Sequence, residues 1–222
     1  MPRIARLCGV GLPHHITQRG NNRVTVFFED EDRKFYLKIL NQYSDQWTFE
    51  VLAYCLMPNH VHILAVPRKE ESLAKGIGGT NLVYTQYINR KYTRSGRLWQ
   101  NRFFSTIIDQ DAYLWAVARY IERNPVRAHL SESAESYIWS SAKAHILGIN
   151  DDILSPEGWR GERDLSAYRD FISKAGDDVE RTIRKATSTG RPLGSNSFIQ
   201  QIETILRRDI FPRKAGRPKK EE

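Results

Sequence analysis

Cysteine is almost missing from this 222-residue chain, which has only Cys8 and Cys55. Without a second pair, neither a disulfide framework nor a cysteine-built zinc knuckle is expected, and two lone thiols suit a reduced, cytoplasmic protein. Long apolar runs are missing as well. No stretch approaches the roughly 18 uninterrupted apolar residues of a membrane span, and the N-terminus carries no signal-peptide h-region, so no membrane role is expected. Acid is missing from two windows. Residues 1–28 hold Arg3, Arg6, Arg19 and Arg23, and residues 72–108 hold Lys75, Arg90, Lys91, Arg94, Arg97 and Arg102, with no Asp or Glu in either. The whole chain is +8, so these windows carry all of the surplus and leave the remainder slightly acidic. An acid-free stretch lets a polyanion approach without local repulsion, which points to nucleic acid.

What is present argues for a folded chain. Hydrophobic residues make up 40% and aromatics 11%, too much for a mainly disordered protein. The length fits one domain with a smaller appendage. Tyr84, Tyr87, Tyr92, Trp99, Phe103 and Phe104 interleave with the second basic window. Each could stack on an unpaired base or belong to the core.

Periodicity gives the order of elements. His15-Ile16-Thr17 is extended, Arg19-Gly20-Asn21-Asn22-Arg23 is turn chemistry, and Val24 to Phe28 is a β-rich return. Asp30 can cap a helix carrying Tyr36, Leu40, Tyr43 and Trp47 on one face. Residues 49–56 and 60–66 read as strands joined at Met57-Pro58-Asn59. Ser72 opens a helix to about Lys91, loosened by Gly76, Gly78 and Gly79. Leu98 to Ile108 reads as a strand, and Asp109 or Asp111 caps a helix that Pro125 ends. The expected class is α+β, an antiparallel sheet covered by helices on one face. Gly148, Pro156, Gly158 and Gly161 mark a boundary, which divides the chain into a domain over 1–148, an extension over 149–210 and a basic flexible tail over 211–222. In the extension, Asp164 to Ala175 and Asn196 to Arg208 look helical, the second stapled by Phe198, Ile202 and Ile205.

The chemistry is concentrated in two places. On the strand at 60–66, His60 and His62 are two residues apart, which puts both imidazoles on one face and Val61 on the other. Two neutral imidazoles side by side make half of a divalent-metal site. On the third helix the core stripe is Leu114, Val117 and Ile121. Tyr120 lies off that stripe with Asn124 one turn further on.

Those residues resemble the single-tyrosine HUH transposases, within them the REP-associated tyrosine transposases. The resemblance rests on Arg19-Gly20-Asn21-Asn22-Arg23, on Leu56-Met57-Pro58-Asn59-His60-Val61-His62, on Leu98-Trp99-Gln100-Asn101-Arg102-Phe103 and on Arg119-Tyr120-Ile121-Glu122-Arg123-Asn124-Pro125-Val126-Arg127-Ala128, in that order. It covers about residues 1–148, and Gly190-Arg191-Pro192 and Gly216-Arg217-Pro218 look like the extension of the REP-associated branch.

The resemblance implies a ferredoxin-like or RRM-like core that cuts and rejoins single-stranded DNA flanked by a hairpin. By it, His60 and His62 hold a divalent metal, Mg²⁺ or Mn²⁺, and Tyr120 is the nucleophile that forms a covalent 5′-phosphotyrosine. Asn124 stands where many relatives have a glutamine, so it is a shorter third ligand or acts through a water. Arg19, Arg23, Arg97, Trp99 and Arg102 are candidate DNA contacts, and Arg217 a candidate minor-groove hook. The alternatives are a domesticated DNA- or RNA-binding protein of the same fold, a relaxase or replication-initiator nuclease, and a metal hydrolase that uses water in place of Tyr120. Monomer and homodimer are left open.

Overall fold

The computed structural model describes residues 7–155, 165–174, 176–207 and 210. Arg3, Arg6, the boundary glycines Gly158 and Gly161 with Pro156, and the tail with Arg217 lie outside the described residues.

Four strands form one sheet: β1 (His14–Arg19), β2 (Phe49–Met57), β3 (His60–Pro67) and β4 (Phe104–Ile107). Their order is β2-β3-β1-β4, and every neighbouring pair is antiparallel. Helix α1 (Asp30–Gln46) connects β1 to β2, and α2 (Ser72–Lys91) connects β3 to β4. After β4 come α3 (Gln110–Glu122), α4 (Asn124–Arg127) and α5 (Ala142–Leu147). The extension contributes α6 (Leu165–Ser173), α7 (Asp177–Thr189) and α8 (Asn196–Leu206). No described helix is long and apolar enough to cross a membrane. Both cysteines are free.

Helices cover both faces of the sheet, not one. The reason is visible in β2 and β3, where every residue from Val51 to Met57 and from Val61 to Pro67 is buried. A strand buried on both sides needs a layer on each. Ile16, Val61, Ile63 and Leu56 pack with Tyr36 and Leu40 of α1 and with Ile77 and Tyr84 of α2. Leu64, Val66, Cys55 and Met57 pack the other way, with Leu114, Val117 and Ile121 of α3 and with Ile172 and Ile183 of the extension.

Other expectations are corrected locally. Val24 to Phe28 forms no strand, because both edges of β1 are already taken by β3 and β4. Its Val26 and Phe27 amides donate to Pro58 O instead. Helix α2 runs unbroken through its glycines. A Cβ at Gly76 or Gly79 would collide with the ring of Phe49 or Tyr43, so these glycines permit close packing and do not loosen the helix. Only Phe104–Ile107 of the expected strand pairs fully, and before it Trp99 makes a single bridge to Gly20. Pro125 ends α3 but also opens α4, where a missing N–H costs nothing. Ile205 is exposed and staples nothing, whereas Ile202 is buried.

The extension is tied to the sheet at defined points. Leu193 donates to Ile107 O and accepts from Asp109 N, which closes the edge of β4. Arg119 of α3 and Arg123 just after it donate to the carbonyls of Phe171 and Ile172 at the end of α6, a favourable place for cations. Glu122, fully buried beside them, accepts from the Ser141 and Tyr168 hydroxyls at 2.6 and 2.7 Å and pairs with His145 Nδ1 at 2.6 Å. Helix α7 packs on α3, β4 and β1.

Candidate active site

In the β1–β3 register, Arg19 faces His60 and Thr17 faces His62. Alternation along each strand sends His15, Thr17, Arg19, His60 and His62 toward α3, while Ile16, Val61 and Ile63 fill the opposite core. A cavity of about 630 Å³ opens on the α3 side, lined by Arg19, His60, His62, Tyr120 and Asn124 together with Thr17, Phe104, Arg127 and, from α7, Arg184 and Thr187.

The α3 stripe positions Tyr120. With Leu114, Val117 and Ile121 buried in the core, the next residue round the helix is directed at the sheet. Its ring centre lies 5.8 Å from both His15 and His62, edge-on to each. The Arg127 guanidinium sits 4.2 Å over the ring, and its Nη2 donates to Tyr120 O at 2.7 Å. Glu180 on α7 holds that guanidinium from the far side at 3.2 Å. The Tyr120 hydroxyl makes no hydrogen bond among the described residues, and Asn124 Nδ2 is buried without a partner.

The imidazoles are uncharged at neutral pH. Burial lowers His60 to about 4, assisted by the Arg19 charge. Burial also holds His62 well below its ordinary value, with His60, His15, Arg127 and Arg19 adding to the effect. His15 is pushed down to about 3 by burial and by Arg127. His60 Nδ1 lies 2.6 Å from Asn59 Oδ1, and His62 Nδ1 lies 2.9 Å from His15 Nε2. Two neutral imidazoles suit a divalent cation, and Asn124 would have to turn its Oδ1 to it, since the unpartnered Nδ2 can only donate. Among the described residues there is no cluster of three or more His, Cys, Asp or Glu that could hold one, so Asn124 would have to complete the set.

The family described as "Transposase IS200 like" matches residues 10–124, just over half of the chain, from the approach to β1 through Asn124. The chain belongs to this transposase family. An inferred REP-associated tyrosine transposase of Haemophilus influenzae is 26% identical over 172 residues, covering 70% of this chain and 96% of that protein. The solved structure of a REP-associated tyrosine transposase bound to a REP hairpin aligns with a TM-score of 0.58 at 16% identity. That alignment covers 71% of this chain and 93% of the other, and it supports the shared fold.

Within this IS200-like transposase, His60, His62, Tyr120, Asn124 and Arg19 come together in one cavity. Arg23, Arg97 and Arg102 are exposed outside it. Trp99 is a correction. It is only 7% exposed, packs against Tyr36 and Tyr84, and donates its Nε1–H to Asn81 O, so no ring face is left for a base. Tyr84 and Phe103 are core as well, whereas Phe104 is 48% exposed in the cavity. Nor is the second basic window acid-free in space, because Lys91 pairs with Glu29 and Asp32 of the α1 start.

Sequence reasoning missed His15, the functional placing of Arg127, and all of α7. For α7 a thin signal existed, since Val179, Ile183 and Ala186 recur at i, i+4 and i+7. The adjacent His14 and His15 of β1 carry no such signal.

Proposed function

We propose that this transposase cuts and rejoins single-stranded DNA beside a hairpin, through a covalent link to Tyr120. The observation that carries the reading is the phenol of Tyr120, unpaired among the described residues, in a cavity it shares with His60 and His62. The order β–α–β–β–α–β fits a ferredoxin-like core, whose sheet presents that wall.

A divalent metal, Mg²⁺ or Mn²⁺ held by His60, His62 and Asn124, would neutralise the scissile phosphate and help orient it. Arg19 and Arg184, at the cavity wall, draw the phosphodiester in. The Tyr120 oxygen attacks phosphorus, the bond to the 3′ oxygen breaks, and that oxygen leaves as a 3′ hydroxyl. The phenol loses its proton in the same step. Phosphotyrosine conserves the phosphodiester's energy, so a second 3′ hydroxyl can reverse the step and join a new strand. Arg127 fixes the ring during both halves. Arg23, Arg97 and Arg102 would meet the backbone of the flanking hairpin, and Phe104 offers a ring to an unpaired base.

Incubation with a labelled hairpin substrate, followed by denaturing electrophoresis and peptide mapping, tests this. The expected result is a covalent adduct on Tyr120. DNA attached to any other residue, or cleavage without an adduct, overturns the mechanism.

A further inference from the structure

His62 owes its orientation to a residue in the extension. Thr187 Oγ1 donates its only hydrogen to Ile183 O at 2.8 Å, within α7. With that hydrogen on Ile183 O, the same oxygen, 3.0 Å from His15 Nδ1, accepts there, and His15 Nδ1 carries the hydrogen. His15 is fully buried and, among the described residues, hydrogen-bonds only to Thr187 and His62, with no carboxylate in contact, so it carries a single proton and its Nε2 is a bare acceptor. At 2.9 Å, His62 Nδ1 must be the donor to it. His62 then holds its one proton at Nδ1, and its Nε2 keeps a free lone pair.

His60 reaches the same state by another route. Asn59 Nδ2 donates to Arg23 O at 3.1 Å, which fixes the amide and leaves Oδ1 to accept from His60 Nδ1–H. One imidazole is thus set by the β2–β3 turn and the other by a relay that ends on α7.

We propose that His15, backed by Thr187, is a positioning residue that locks His62 in the Nδ1–H tautomer and keeps its Nε2 available as a ligand atom. The inference rests on the metal reading above for its purpose, but not for its geometry. Without the Thr187 hydroxyl, His15 Nδ1–H has nothing to donate to. The reversed relay, with His15 Nε2–H donating to His62 Nδ1, then becomes competitive. In that arrangement His62 carries its proton on the cavity side, where no metal can bind. Loss of such a supporting bond typically weakens metal binding by 10–100-fold.

The test uses the ¹⁵N-labelled full chain without metal. Long-range ¹H–¹⁵N spectra of the imidazoles at pH 7.5 read the tautomers, and electron paramagnetic resonance of free Mn²⁺ reads metal affinity. In the parent protein His62 should be the Nδ1–H tautomer. Thr187→Val, which keeps the side-chain shape, should shift His62 toward Nε2–H and raise the Mn²⁺ dissociation constant about tenfold or more. Thr187→Ser, which keeps the hydroxyl, should restore both. An Nε2–H tautomer in the parent, or a Thr187→Val protein with unchanged tautomer, overturns the proposal. So does equal loss in the Val and Ser variants, which would assign Thr187 to helix packing alone. A parent protein that binds no Mn²⁺ counts against the metal reading, and the tautomer then decides the relay by itself.

Discussion

Val61 and His62 are consecutive on β3, yet they belong to different parts of the molecule. Val61 is sealed with Ile16, Ile63 and Leu56 beneath α1 and α2, where contacts are apolar. His62 faces α3 and α7, where the same strands present three imidazoles, an arginine and a threonine around a cavity. The period of two lets one strand supply both faces, so rigidity and reactivity are one residue apart. The α1/α2 face anchors the strands, and polar groups on the α3/α7 face can then be held without collapsing the sheet. Burial without charge partners costs those imidazoles their protons, which suits them to bind a cation.

The largest expected effect that separates the two faces is Tyr120→Phe. It removes an oxygen that makes no hydrogen bond among the described residues, so stability should change by about 0.5 kcal/mol or less. Adduct formation should fall to background. A variant that still forms the adduct would place the reactive group elsewhere on the α3/α7 face.

Next come His62→Ala and its neighbour Ile63→Ala. The first should abolish cleavage in Mg²⁺ or Mn²⁺ while hairpin binding persists, because the imidazole acts on one phosphate. The second should cost about 2–5 kcal/mol of stability by opening a core cavity, with cleavage lost only as the folded fraction falls. Denaturant titrations run beside cleavage assays would show whether the two faces separate in this way. Equal effects on both readouts would dissolve the distinction.

Acid should weaken both faces through their buried imidazoles, His15 and His60 toward α3 and His14 on the side of Ile16. His14 and His60 are lowered to about 4 and His15 to about 3, all mainly by burial. Between these values and 6.5 the unfolded chain binds more protons than the folded one, so stability rises with pH across that window. The contribution is fully present above pH 6.5 and is lost as pH falls toward 4 to 3. Urea midpoints should therefore drop clearly from pH 7.5 to pH 5. A flat profile would mean that these imidazoles are protonated in the fold.

The smallest effect concerns the aromatics. Phe104→Ala should lower single-strand affinity by about 1–3 kcal/mol, the worth of one stacked base, with little change in stability. Trp99→Phe should lower stability instead, through lost packing and the lost hydrogen bond to the Asn81 carbonyl. Affinity measured by fluorescence anisotropy would reverse the assignment if Trp99→Phe proved the more damaging to binding at full folding.

Much of this was legible in the residues. Local patterns carry short-range physics. Alternation put His60 and His62 on one face, the Met57-Pro58-Asn59 turn separated β2 from β3, and the Leu114, Val117 and Ile121 stripe turned Tyr120 away from the centre of the core. The family resemblance added their roles, which no spacing could supply. Aromatic identity misled at Trp99, because a ring suited to stacking on bases is equally suited to a core, and only its neighbours decide.

Three things needed the tertiary structure. The second helical layer follows from burial on both sides of β2 and β3, a property of the assembled sheet. The neutralised Lys91 depends on α1 and α2 lying side by side. The site's dependence on the extension depends on Thr187 reaching His15 from 172 positions away. A hydrogen bond requires atoms about 3 Å apart in a set direction. Periodicity along a strand or helix fixes which face a side chain takes, and the contacts between distant elements fix which atom that face will meet.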